Sequence, residues 1–379
     1  MRLLILALGT FAIGTEAFVI AGVLPGIAMD LEVSVAAAGQ LVTLFALAYA
    51  VAAPVLATLT AGVERRRLLV TAMAAFTAAN VFAAFAPGYL SLALARVLAA
   101  ISAAAFTLTA GAVAATTADP AQRGRALATV TGGLSVAIVL GVPAGTWIGS
   151  AFGWRMTFIF VAAVAALAVT GIASTLPATP TPVFVPFRDR VGLLTRGRVL
   201  AALALTTSWM TGIYVLYTYI APVLQITAGV TERELSGLLL VFGVFSVAGT
   251  WLGGVGADRL GVTRTSVPAL VVIGGVIVLL PLLATTALRA AVFMGAWGLG
   301  WAFVTAHQHR LVSLAPSTPA VILSFNSSAL YVGVGAGAGI GGLIFEHLPV
   351  AALGAVGCAF EILALALVLL LGRGRRRYG

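Results

Sequence analysis

A helix needs roughly 20 mostly apolar residues to cross the hydrocarbon core of a bilayer, and stretches of that order with few or no charges recur along the whole of this 379-residue chain. No other feature limits the fold as tightly. In lipid a backbone must satisfy its own hydrogen bonds, which leaves helices or a closed barrel, and continuous apolar runs of this length are helical. Composition agrees: 61% of the residues are hydrophobic and 8% charged, against about 25% charged in a soluble domain that must cover itself with polar groups. The expected fold is therefore an all-α membrane protein without a separate soluble domain.

Twelve spans are predicted: Leu3–Ala28, Ala37–Gly62, Leu68–Ala86, Leu90–Ala115, Ala126–Ser150, Met156–Leu176, Val199–Leu224, Leu235–Ala257, Ser266–Ala287, Ala290–Leu314, Ala320–Phe345 and Val350–Leu371. Met1-Arg2 followed by Leu3 to Leu8 imitates the start of a signal peptide. Glu16 interrupts that pattern and no small-residue cleavage site follows, so an uncleaved first helix is expected. The polar interval from Pro177 to Arg198 has four prolines in its first ten residues and reads as a linker. It divides the chain into an N-terminal six-helix bundle, 1–176, the linker 177–198, and a C-terminal six-helix bundle with a basic tail, 199–379.

A formal charge of +10 invites a nucleic-acid reading, but arginine placement accounts for it. With the N-terminus set in the cytoplasm, 17 arginines fall in cytoplasmic segments (Arg2, Arg65 to Arg67, Arg123, Arg125, Arg188, Arg190, Arg196, Arg198, Arg259, Arg264, Arg310, Arg373, Arg375 to Arg377) and three outside (Arg155, Arg233, Arg289). The positive-inside rule then puts both termini in the cytoplasm and leaves no need for nucleic acid. The 21 basic residues include no lysine. That excludes a GxxxxGK[ST] nucleotide loop and a lysine Schiff base. The single cysteine, Cys358, excludes a disulfide framework or cysteine metal cluster. His307 and His309 are spaced i, i+2 and so point to different helix faces, which predicts interfacial solvation in place of a metal pair. No enzyme activity, metal or cofactor is expected.

The halves repeat. Gly141, Gly145 and Gly149 in the fifth span are echoed by Gly333, Gly337 and Gly341 in the eleventh, each displaced by 192 residues. The loop after the second span, Gly62 to Arg67, is echoed at the same displacement by Gly254 to Arg259. A parallel repeat predicts a binding site near mid-membrane where the repeats meet. Glycine every fourth residue makes a groove for close helix approach, and Pro143 is expected to bend the fifth helix.

Glu16 is the acidic residue inside the first six predicted spans. A charge at mid-bilayer costs roughly 2.5–3.5 kcal/mol on insertion scales, so it must be paired, hydrated or protonated. A carboxyl that moves between apolar surroundings and a cation takes up and releases a proton, which suits proton coupling. Arg96 is its candidate partner: at 1.5 Å per residue Glu16 lies about 18 Å and Arg96 about 9 Å from the same membrane face, a gap long side chains largely span. Substrate contacts are expected from mid-depth Phe45, Tyr49, Trp209, Tyr214, Tyr217, Trp297, Trp301 and Asn326, since aromatic rings offer large amphipathic area. Asp258 and Arg259, at the inner end of the eighth span, suit a gating latch.

Several motifs resemble those of the major facilitator superfamily, and within it the twelve-helix drug:proton antiporters. Gly254-Val255-Gly256-Ala257-Asp258-Arg259-Leu260-Gly261-Val262-Thr263-Arg264 is similar to the superfamily's loop motif, whereas Pro54 to Arg67 keeps the arginines without the aspartate. Gly133 to Gly149, centred on Gly141-Val142-Pro143-Ala144-Gly145, resembles the antiporter motif, and Gly153-Trp154-Arg155 follows it as in many exporters. The opening Gly9 to Val19 looks like the subgroup of chloramphenicol exporters and arabinose and nucleoside efflux proteins, and Arg96 to Ile101 resembles the family's arginine motif.

The resemblance implies two pseudo-symmetric six-helix bundles, helices 1, 4, 7 and 10 around a cavity, and a bacterial cytoplasmic-membrane location. Helix 12 would be peripheral, so Glu361, midway along it, is expected to pair with a neighbouring helix rather than to serve as a second proton site. The function expected is proton-coupled export of a small amphipathic compound by a monomer, with the lipid bilayer, protons and that solute as partners. A sugar or nucleoside facilitator without strict proton coupling is the nearest rival, and a non-transporting sensor or scaffold the rival of another class.

Overall fold

The computed structural model describes residues 2–60, 62–117, 122–177, 192–316 and 318–373. Among these, twelve helices are long and apolar enough to cross a membrane: α1 Arg2–Asp30, α2 Val35–Leu59, α3 Arg65–Ala84, α4 Tyr89–Ala114, α5 Gly124–Phe152, α6 Trp154–Thr175, α7 Gly197–Tyr217, α8 Glu232–Arg259, α9 Val262–Leu283, α10 Ala287–Leu314, α11 Val321–His347 and α12 Ala351–Gly372. Most of the expected linker, 178–191, lies outside the described residues; Gly192–Thr195 forms a 3-10 turn before α7. The chain divides into two compact units, Met1–Phe184 and Val185–Gly379.

Local chemistry sets the helix starts. Ser34 accepts the Ala37 amide at 3.0 Å at the head of α2. Glu64 accepts the amides of Arg66 and Arg67 at 2.9 and 3.0 Å at the head of α3, so the acid of the first loop caps a helix. Thr231 and Glu234 form a reciprocal capping box at α8. Two junctions need glycine: Gly153 between α5 and α6 has φ 90°, and Gly261 between α8 and α9 has φ 88°, a region that side-chain-bearing residues rarely enter.

The same packing scheme appears in each unit. In the first, α1 packs on α5 and α6, α2 on α4, and α3 on α4 and α6; in the second, α7 packs on α11 and α12, α8 on α10, and α9 on α10 and α12. Each of these pairings of the first unit reappears six helices later. The glycine triplets share this displacement down to their partners. Side chains at 145 and 149 would meet Val19 and Val23 of α1 at 2.7 and 2.5 Å, and one at 141 would meet Thr15. Side chains at 333, 337 and 341 would meet the backbone oxygens of Thr207, Thr211 and Val215 of α7 at 2.5, 2.6 and 2.5 Å. Residues 15, 19 and 23 plus 192 are 207, 211 and 215, so the partners repeat with the glycines.

Three spans are irregular. A five-residue π turn, Ala137–Gly141, interrupts α5 immediately before Pro143, and the Val142 amide donates to Ala137 five residues back. The irregularity expected at Pro143 is thus taken up one turn earlier, by widening the helix. The predicted seventh span ends early: α7 stops at Tyr217, and a short helix, Ile220–Ala228, follows. α10 breaks at Gly300-Trp301. The carbonyls next to that break lie against α8, where a side chain at Gly249 would meet the oxygens of Gly298 and Leu299 at 2.6 Å.

Candidate transport site

In the first unit, α1 and α4 bring Glu16 and Arg96 together. Both side chains are 1% exposed and form an ion pair, with Arg96 Nη1 donating to Glu16 Oε1. The other carboxylate oxygen, Oε2, is buried with no hydrogen-bond partner among the described residues. The guanidinium stacks over Phe45 of α2, 4.4 Å from the ring centroid, and Tyr49 lies one turn further along α2, its ring centroid 6.5 Å from that of Phe45. Phe45 and Tyr49 are both buried. The cation therefore meets a carboxylate and a π face in apolar surroundings, where electrostatic attraction is stronger than in water.

The matching helices of the second unit, α7 and α10, meet through an aromatic cluster. Trp209 of α7 meets Trp301 and Phe303 of α10 at centroid distances of 5.7 and 4.8 Å. Tyr217 contacts Trp297 edge to face at 6.0 Å, and Tyr214 lies 5.6 Å from Tyr217. Phe242 of α8 joins them, 5.9 Å from Trp297 and 5.5 Å from Trp301. The breaks after Tyr217 and at Trp301 both fall in this cluster, in keeping with irregular backbone lying where protein and not lipid surrounds it. The indole N–H groups of Trp209 and Trp297 are buried without an acceptor among the described residues.

Asn326 of α11 belongs to a chain of polar contacts. Thr206 of α7 donates to Asn326 Oδ1 at 2.6 Å and lies 2.8 Å from His307 Nε2; a hydroxyl has one proton, so the imidazole is then the donor in the second contact. His307 is 3% exposed and stacked on Phe303, with ring centroids 5.2 Å apart. This overturns the expected interfacial solvation of His307, while His309 is exposed. Phe303 and His307 are four residues apart and share a helix face; that spacing was the available signal for Phe303, His307 and, across the interface, Thr206. Phe242 had none, because α8 is apolar on every side.

Gly141, Gly145 and Gly149 seat α5 on α1, with Pro143 just after the π turn. Trp154 and Arg155 both donate to Asp30 at the end of α1, the indole at 3.1 Å, and Arg155 also reaches Ala86 O at 3.2 Å. Asp258 and Arg259 are exposed at the end of α8, and neither makes an ion pair with a described residue. Glu361 of α12 is 2% exposed, and neither oxygen has a hydrogen-bond partner among the described residues. The pairing expected for it is not found.

Twelve apolar helices, repeated packing and buried polar groups within each unit define a multi-pass membrane protein. Residues 6–320 match the Major Facilitator Superfamily. An uncharacterized MFS-type transporter of Bacillus subtilis, YbcL, is 35% identical over 371 residues, covering 97% of this chain and 95% of that one. The inner membrane transport protein YdhP of Escherichia coli K12 is 35% identical over 345 residues, 91% of this chain and 88% of YdhP. In fold, the chain is similar to a bacterial homolog of the human lysosomal transporter Spinster in its inward-facing, unoccupied conformation, with TM-score 0.79, 19% identity, and 98% and 96% coverage. The chain belongs to the Major Facilitator Superfamily, and is a secondary transporter that works by alternating access.

Proposed function

We propose that this protein couples proton entry to export of a small amphipathic solute, with Glu16 and Arg96 as the coupling pair. The observation that carries the proposal is the buried ion pair with one carboxylate oxygen unengaged. Parting the pair leaves an uncompensated carboxylate in apolar surroundings, and taking up a proton relieves that cost. Re-forming it expels the proton. Opposite access of the two states to the two membrane faces then ties proton movement to solute movement in the other direction.

Phe45, Tyr49, Trp209, Tyr214, Tyr217, Trp297, Trp301 and Asn326 are assigned to solute binding. Aromatic faces with few fixed polar demands favour an amphipathic solute, and the indole N–H groups of Trp209 and Trp297, which have no acceptor among the described residues, suit one bearing a hydrogen-bond acceptor. We assign Gly141, Pro143, Gly145, Gly149, Asp258 and Arg259 to gating. The functional arrangement is a monomer of two bundles, 1–176 and 199–379, joined by the segment 177–198. It lies in a bacterial cytoplasmic membrane with both termini inside, as the arginine distribution and the likeness to the inner membrane transport protein YdhP favour.

The test is a panel of amphipathic solutes applied to proteoliposomes holding a pH-sensitive dye. Solute addition moves protons in the wild type, and Glu16→Gln abolishes that movement. Equal proton movement in both removes Glu16 from coupling, and transport indifferent to collapse of the proton gradient supports a facilitator instead.

A further inference from the structure

Glu361 is enclosed by three helices of the second unit. Each of its two neighbours gives up a side chain where it lies. A Cβ at Gly212 of α7 would stand 2.7 Å from Glu361 Oε1 and 2.8 Å from the carbonyl of Gly357, and one at Gly274 of α9 would stand 3.4 Å from Glu361 Cβ. One residue before it, Phe360 accepts a hydrogen bond from Ser208 of α7 at 2.7 Å, fixing α12 on α7 beside the carboxyl. The side chain is 2% exposed and neither oxygen has a donor among the described residues.

Among the described residues no cation pairs with it. α7 faces the carboxyl with Gly212 and α9 with Gly274, and neither is ionisable. Tyr214, two residues beyond Gly212, packs against Tyr217. Arg198 of α7 and Arg264 of α9 are 14 and 10 residues along their helices from those glycines, about 21 and 15 Å at 1.5 Å per residue. On α12 itself, Cys358 lies one turn away and is the ionisable neighbour. A carboxylate at this place would be an uncompensated charge inside a helix bundle, whereas the neutral acid would not.

We infer that Glu361 is a proton-binding site of the second unit, occupied in the conformation described here and able to release its proton only when α12 separates from α7. The step is simple: the O–H bond of the acid breaks, the electron pair stays on the carboxylate, and the proton passes to entering water. Such a site makes proton release depend on movement at one helix interface. The inference goes beyond the coupling proposed for Glu16 and does not rest on it.

Infrared titration of the purified full chain in lipid tests the site without a solute. The wild type is expected to show, at neutral pH, a carbonyl stretch of a buried neutral carboxylic acid that shifts in heavy water and fades as pH is raised. Glu361→Gln loses the band, Glu361→Asp moves its frequency, and Glu16→Gln retains it. That retention separates this site from the Glu16 reading, which stands or falls on proton flux in proteoliposomes. Absence of a band lost in Glu361→Gln overturns the inference, because the carboxyl is then ionised. A band that persists unchanged at every pH the fold survives also overturns it, because the acid is then a fixed structural group.

Discussion

Glu16 of α1 and Ser208 of α7 occupy matching positions of the two units, 192 residues apart, yet the units handle buried polarity in different ways. In the first unit the carboxylate is met by Arg96 from α4. In the second the matching serine bonds to the backbone of α12, and the carboxyl sits instead on α12 as Glu361, without a partner among the described residues. One fold repeated twice therefore holds one acid as half of an ion pair and another as a lone group between glycines. The repeat preserves helix packing, and the chemistry diverges on top of it.

The largest expected difference comes from removing each acid. Glu16→Gln strands a buried guanidinium, and breaking a buried pair by losing one partner costs about 3–5 kcal/mol. Glu361→Gln replaces an unpaired group by a neutral one of the same shape and is expected to shift stability by less than about 1 kcal/mol, in the range of shape-conserving changes. Thermal unfolding of the purified proteins side by side checks the ordering. Glu16→Gln combined with Arg96→Gln should recover much of the single loss, since no stranded charge then remains. Equal melting of Glu16→Gln and Glu361→Gln would break the comparison.

Next in size are the glycine seams. α5 meets α1 through the side chains of Thr15, Val19 and Val23, whereas α11 meets the backbone of α7. Side chains can turn aside and backbone carbonyls cannot. Gly337→Ala is therefore expected to cost about 2–3 kcal/mol and Gly145→Ala about 1 kcal/mol, within the usual span for overpacking. The same thermal unfolding measurement reads both, and a larger loss for Gly145→Ala would show that the first seam is the stiffer.

A third test uses the polar chain through Thr206 in the second unit. Thr206→Val leaves His307 and Asn326 each short of a bond, and an unsatisfied buried group costs about 1–3 kcal/mol. Because the chain links α7, α10 and α11, the loss should appear as faster amide exchange in those helices while α1 to α6 are unchanged. Exchange that rises equally in both units would deny the chain a local role.

These contrasts were unequally legible in the sequence. The twelve spans and both glycine triplets could be read because long apolar runs and fixed spacings are local signals. Glu16 and Arg96 stood out because ionisable residues inside a span are scarce, so few pairings were open. His307 was misplaced because helix ends look alike in sequence whether they meet water or another helix. Phe242 was missed for a related reason: α8 is apolar on lipid-facing and protein-facing sides alike, so periodicity does not mark the buried face, while Phe303 had only its four-residue spacing from His307 to mark it. The π turn and the break at Gly300-Trp301 lie against α1 and α8, and no local rule contains those contacts. Glu361 was expected to pair because helix 12 is peripheral in the fold that the resemblance implies, and the alternative of two facing glycines is visible only in three dimensions.

The smallest expected effect lies at the end of α1, where the first unit has an ion pair of another kind. Asp30 and Arg155 have side-chain exposures of 45% and 38%, so solvent and salt screen their attraction. Asp30→Asn keeps an oxygen for the Trp154 indole and removes the charge. The expected loss is about 0.2–1 kcal/mol, in the range of exposed pairs, and it should shrink as salt is added, whereas the loss from Glu16→Gln should hardly depend on salt because that pair is out of reach of ions. Melting temperatures of the two variants across a salt series check this. If the Asp30→Asn loss proved as large and as salt-independent as that of Glu16→Gln, the tie from Asp30 to Trp154 and Arg155 would be a rigid lock joining α1 to α6, and exposure would be a poor guide to what holds the first unit together.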